Sequence, residues 1–178
     1  MSTPTTLKEV YTDEIKDLWS ANEQMISTVR TLMEGAHDAK LQKHLTKSVD
    51  GIVKHNETLK ELLSSAGAEV KKEHCKGMEG LCKEALKHGQ KEAPENPELK
   101  DIVIITQYQR MCHYGITGFG SVKAMAKALS MRDHVSKLET IVSDIYGADE
   151  LTSQLGEKLA KLAAKHEKTA STAAAAAA

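Results

Sequence analysis

Four stripes of mostly apolar residues, each recurring at alternating steps of three and four, decide what this chain can fold into. The first reads Tyr11, Ile15, Leu18, Asn22, Met25, Val29 and Leu32, and the second Leu41, Leu45, Ser48, Ile52, His55, Leu59 and Leu62. The third carries Ile102, Ile105, Gln109, Cys112, Ile116, Phe119 and Ala126. The fourth is Leu138, Ile141, Ile145, Ala148, Thr152, Leu155, Leu159 and Leu162. Steps of this kind place each stripe along one side of an α-helix, and no run alternates like a half-buried strand. A helix with one apolar side must cover it with another element.

The punctuation between the stripes agrees with this reading. Thr6-Leu-Lys-Glu9 is a capping box, whose hydroxyl and carboxylate satisfy free amides at a helix start. The first helix then runs to about Gly35; Asp38 caps the second, and Gly67 ends it. Between Glu73 and about Lys91, "HCKGMEGLCKEALKHG" predicts a short connecting helix, with Cys75 and Cys82 packed on the bundle. The linker "KEAPENPELKD" closes on Asn96-Pro97, a cap followed by proline at the first helical position. Ser130 and Asp133 open the fourth long helix. Two long helices, a longer connection with a short helix, and two more long helices predict an all-α, up-down-down-up four-helix bundle of the ferritin-like kind. A single domain is expected over residues 1–166, followed by a low-complexity, flexible or poly-alanine tail over 167–178.

Composition narrows the function classes. The chain has 178 residues, enough for one real core, and a formal net charge of −1, so no strong field recruits nucleic acid or an anionic membrane. No apolar run resembles a signal peptide or is long enough to span a bilayer. Three cysteines, Cys75, Cys82 and Cys112, form no disulfide framework, and a cytoplasmic location is expected. His37, His44, His88, His134 and His166 fall mostly on polar faces and read as solvent-exposed, with His166 favourable near a helix end.

Polar residues interrupt the stripes near their middles: Asn22 in the first, Ser48 and His55 in the second, Cys112 in the third. Buried polar groups cost about 1–3 kcal/mol when unpaired, so a cluster at one level implies either a satisfied network or a site. Ser and Cys are also ordinary small residues of helical cores. Glycines accompany them at Gly51, Gly115, Gly118, Gly120 and Gly147. Each costs a helix about 1 kcal/mol relative to alanine, tolerable where backbones approach closely or a cavity is needed. Spacing alone leaves both open.

In "TLKEVYTDEIKDLWSANEQM", "MEGLCKEA", "YQRMCHYGITGFGSV" and "LETIVSDIYGADELT", the chain resembles the bacterial YciE/YciF family of ferritin-like proteins, from Thr6 to about Gly156. Members of that family resemble di-iron carboxylate proteins, with acids and histidine projecting into the bundle centre. The resemblance places Asn22 where the family pattern Ala-Glu-x-Gln has its carboxylate. It sets Ser48-Val49-Asp50-Gly51-Ile52 against His-x-Glu-Glu-Thr, and Cys112-His113-Tyr114-Gly115 against Glu-His-Tyr-Glu. Val142-Ser143-Asp144 stands for a Glu-Glu-Glu run, and Ala148 for a following Asp. Asp50, Asp144 and His113 remain as ligand types, His113 adjacent to its stripe. Gly118 and Gly120 match small family positions and read as close helix packing.

The resemblance therefore implies a degenerate di-metal centre, because two iron ions need more anionic oxygen than two Asp residues supply. The expected protein is a non-enzymatic, structural or stress-associated bundle with no cofactor. The alternatives are a small-molecule or cofactor-binding module using the emptied centre, and a residual metal-binding or ferroxidase-like protein. The candidate pocket comprises Asn22, Ser48, Asp50, Gly51, Cys112, His113, Gly115, Ser143 and Asp144; residual metal candidates are His55, Asp50, His113 and Asp144. A homodimer is expected from the family and from the apolar face Met78, Leu81 and Ala85 of the connecting helix.

Overall fold

A computed structural model describes residues 3–176. Its helices are α1 (Leu7–Glu34), α2 (Ala39–Ser65), the short α3 (Lys76–Leu86), α4 (Pro97–Ala128) and α5 (Arg132–Ala176). One π-helical turn, Lys87–Lys91, follows α3. The expected caps do their work. Thr6 accepts from the Glu9 amide while the Glu9 carboxylate takes the Thr6 amide. Asp38 Oδ1 accepts from the amides of Lys40 and Leu41, and Asn96 Oδ1 from those of Glu98 and Leu99. The chain leaves α2 through Gly67 at φ +71, a left-handed value that glycine adopts without steric cost. Entry into α5 differs from expectation: Ser130 has φ 58, outside the helix, and α5 begins at Arg132. Residues 177–178 of the low-complexity tail lie outside the described residues.

The four long helices form the bundle. α1 packs on α2 and α4, α5 packs on α4 and α2, and α3 lies across α1 and α4. Asp101, 2% exposed, ties the α1–α2 loop to α4 by accepting the amides of His37 and Asp38 at 2.8 and 2.6 Å. The apolar face of α3 is covered within the chain: Met78 and Ala85 are buried and Leu81 half-buried. The homodimer expected from the sequence would therefore need a surface other than this one.

The stripes of α1 and α2 are buried as expected, with Ser48 half-buried. The expected stripe of α4 is buried in part: Ile105, Cys112, Phe119 and Ala126 are buried, whereas Ile102, Gln109 and Ile116 are half-buried and Ile104, Tyr108 and Met111 are buried beside them. The reason is that α3 and the bundle cover α4 from two sides, so apolar residues surround most of it and its period is weak. Gly118 does sit at a close approach, since a Cβ there would lie 2.5 Å from Leu18 Cδ2. Gly120 does not, because a Cβ there would meet nothing within 4 Å.

Buried side chains gather in two clusters along the bundle. One joins Tyr11, Ile15, Leu59, Phe119, Val122 and Leu138; the other joins Met25, Val29, Leu41, Leu45, Ile104 and Tyr108. Asn22, Ser48, His55 and Cys112 fall where the two meet.

A candidate ligand cavity between the two cores

A cavity of about 400 Å³ opens at this level, lined by all four long helices and by Met78 of α3. Its walls are mainly apolar: Leu18, Ala21, Met25, Ile52, Met111 and Ile145. Lys47 and Leu151 on its lining are exposed, so its mouth lies between α2 and α5. Gly51 and Gly147 line it with no atom near an added Cβ, and Gly115 leaves only ordinary contact, 3.5 Å to Ile145 Cδ1. At these three positions the missing side chains make room.

Most of the polar side chains here are occupied with each other. Tyr108 donates its hydroxyl proton to Ser48 Oγ at 2.8 Å, and Ser48 donates to the His44 carbonyl at 3.1 Å. Thr152 donates to the Ala148 carbonyl at 2.7 Å, which makes its oxygen the acceptor for His44 Nε2–H at 2.8 Å. Neutral His55 donates from Nε2 to Asp144 Oδ2 at 3.2 Å. Burial holds both histidines below the ordinary imidazole pKa. The carboxylate of Asp144 pulls His55 the other way, but it is 59% exposed and screened by water, so desolvation prevails. Burial also pushes the Cys112 thiol up to about 12, leaving it protonated and a poor metal ligand or nucleophile at neutral pH.

One group stays unpaired. Asn22 is 6% exposed, and its Nδ2 has no hydrogen-bond partner among the described residues. An unsatisfied amide at this depth carries most of the desolvation cost of the group with nothing in return.

Among the residues anticipated from sequence, Asn22, Ser48, Gly51, Cys112, Gly115, Ser143 and Asp144 line the cavity together with His55. Asp50 and His113 are not on its lining. Both are exposed, and His113 pairs with Asp149 Oδ2 at 3.1 Å; each sits one helical step, about 100°, from a residue that does face inward. His44 and Tyr108 line the cavity and were not anticipated. Each stands four residues before a recognised position, Ser48 and Cys112, and that spacing was the available signal. His134 is likewise not exposed but buried, bonded to Tyr11 and Ser65 at 2.7 and 2.9 Å. His166 is exposed but pairs with Glu98 at 2.9 Å rather than lying at the end of α5.

No three of His, Cys, Asp and Glu converge on a possible ion among the described residues, and the cavity lining offers one carboxylate, at the mouth. No described helix is long and apolar enough to cross a membrane.

Comparison with known proteins gives a consistent picture. The family model for a domain of unknown function, DUF892, matches residues 6–165. Protein YciF of Escherichia coli strain K12 is 24% identical over 148 residues, covering 81% of this chain and 86% of the relative. The crystal structure of the E. coli stress protein YciF matches with a TM-score of 0.83 at 22% identity, over 89% of this chain and 99% of that one. YcfI from Rhodopseudomonas palustris matches at 0.79 and 23% identity, over 84% and 94%. At these identities the structural likeness carries the fold: a bundle of four long helices with a short helix between the second and third.

Proposed function

The chain belongs to the DUF892 family, and on that premise we propose that it is a non-enzymatic, stress-associated bundle that holds a small, largely apolar molecule. In this reading the di-metal centre suggested by the family resemblance is degenerate, and the volume left by its missing acids is the binding site. The stress association rests on the likeness to the E. coli stress protein YciF. The observation that carries the binding role is the cavity of about 400 Å³ with the unpartnered Asn22 amide on its lining. Small-molecule sites are of this size, mostly apolar, with a few polar groups that fix orientation.

Calorimetric titration with 1-decanol tests the proposal. Wild type is expected to bind one molecule per chain. Gly51→Leu is expected to fold at least as stably, since it restores helix propensity where a side chain meets nothing, and to lose the binding. No binding by wild type, or equal binding by the filled variant, would overturn it.

A further inference from the structure

Beside the mouth of the cavity lies a second depression, lined by Lys40, Lys43, Lys47 and Lys158 with Gln154 and Leu155. It is continuous with the cavity, because His44, Lys47 and Leu151 line both. It contains no acidic residue, and none of its four lysines forms an ion pair among the described residues. Other exposed lysines divide: Lys72, Lys83, Lys137 and Lys161 each pair with a glutamate, while Lys54, Lys71, Lys76 and Lys127 pair with none among the described residues. What sets the groove apart is that four unpaired lysines line one depression without an acid.

The placement of these lysines is unfavourable on its own account. Lys40 and Lys43 sit in the first turns of α2, where the helix dipole is positive and favours anions. Lys40, Lys43 and Lys47 are spaced three and four apart, so like charges share one face of the helix. The carboxylates of Asp38 and Asp101 already occupy the start of α2, bonded to backbone amides there, and none of the four lysines pairs with them. An anion placed in the groove would relieve the repulsion among the lysines.

We propose that the cavity's ligand is an amphiphilic anion, its apolar part inside the bundle and its carboxylate or equivalent group in the groove of Lys40, Lys43, Lys47 and Lys158. This inference rests on the binding role proposed above and specifies its chemistry. Two adjoining surfaces of different character, a cleft with mainly apolar walls between the helices and a groove edged by four lysines, match the two ends of such a molecule. Along α2 the distance from Lys43 to His55 is about 18 Å at 1.5 Å per residue, room for a single extended chain. Half-buried His44 and buried His55, both held toward the neutral form by desolvation, add no positive charge inside, so the ligand's charge belongs at the groove.

Three probes of one chain length separate the claims: decanoate, 1-decanol and decylammonium, titrated calorimetrically into the full chain at low salt. Decanoate is expected to bind about tenfold or more tighter than 1-decanol, with decylammonium the weakest, because several fixed cations act together. In the triple variant Lys40→Gln, Lys43→Gln, Lys158→Gln, the advantage of decanoate over 1-decanol should disappear. The substituted side chains are exposed, so the fold is expected to survive, and melting temperature checks it. Equal binding of decanoate and 1-decanol by wild type, or a decanoate advantage that persists in the triple variant, would overturn the anionic specificity and leave the cavity reading standing. Binding of none of the three would overturn both.

Discussion

Asn22 carries the cost of an incomplete site. Its buried amide nitrogen has no partner, while neighbours such as Ser48, His44 and His55 are bonded. Asn22→Leu should therefore stabilise the ligand-free chain by about 1 kcal/mol in urea unfolding, since a group that only costs is replaced by one of similar volume. A loss of stability would mean that the amide is satisfied in solution. The histidines make a separate prediction. Burial depresses the folded-state pKa values of His44, His55 and His134 below the unfolded value of about 6.5. Below that value the unfolded chain binds more protons than the folded one. The stability these neutral rings contribute is thus fully present above about 6.5 and lost as pH falls toward their folded values. Unfolding free energy should drop between pH 7 and 5, and His55→Gln should lose less over that interval than wild type. Identical losses would remove His55 from the account.

Two glycines of α4, two residues apart, should respond to alanine in opposite ways. At Gly120 a Cβ meets nothing, so Gly120→Ala should gain up to about 1 kcal/mol from helix propensity. At Gly118 the new methyl would displace Leu18, which is 2% exposed and also lines the cavity. Overpacking of this kind costs about 1–3 kcal/mol, and the displaced Leu18 should reduce 1-decanol binding as well. Equal melting temperatures for the two variants would contradict the packing described. The pair also shows how far sequence could be read. Both glycines looked alike in "GITGFG", and only the neighbouring helix distinguishes them. Caps such as Thr6, Asp38 and Asn96 were legible because their chemistry is local. The stripes of α1 and α2 were legible because each has one covered side. The stripe of α4 was legible only in part, at Ile105, Cys112, Phe119 and Ala126, because α3 covers the helix from behind; the placement of His44 and His134 was not, because their partners, Thr152 and Tyr11, are distant in sequence. The level of the cavity was visible as polar residues in three stripes. Its volume and the unpaired state of Asn22 depend on side-chain positions that no spacing encodes.

At the scale of the whole molecule, the cavity lies between two apolar clusters strung along the same four long helices. Each long helix contributes to both clusters, and at the cavity between them Ile145 packs against both. On either side of the cavity, the two ends of the bundle are free to open as separate cooperative units, each with its own free energy, below the global one. Native-state hydrogen exchange should then sort the amides near Tyr11 and Phe119 into one opening event. Those near Met25 and Tyr108 should fall into another, with a different denaturant dependence. A single shared event for both sets would show that the helices alone transmit cooperativity. A molecule seated in the cavity would touch both clusters at once, and the two openings should merge into one. Occupancy would then be registered as synchrony: the empty bundle breathes from either end independently, and the filled bundle opens as a whole.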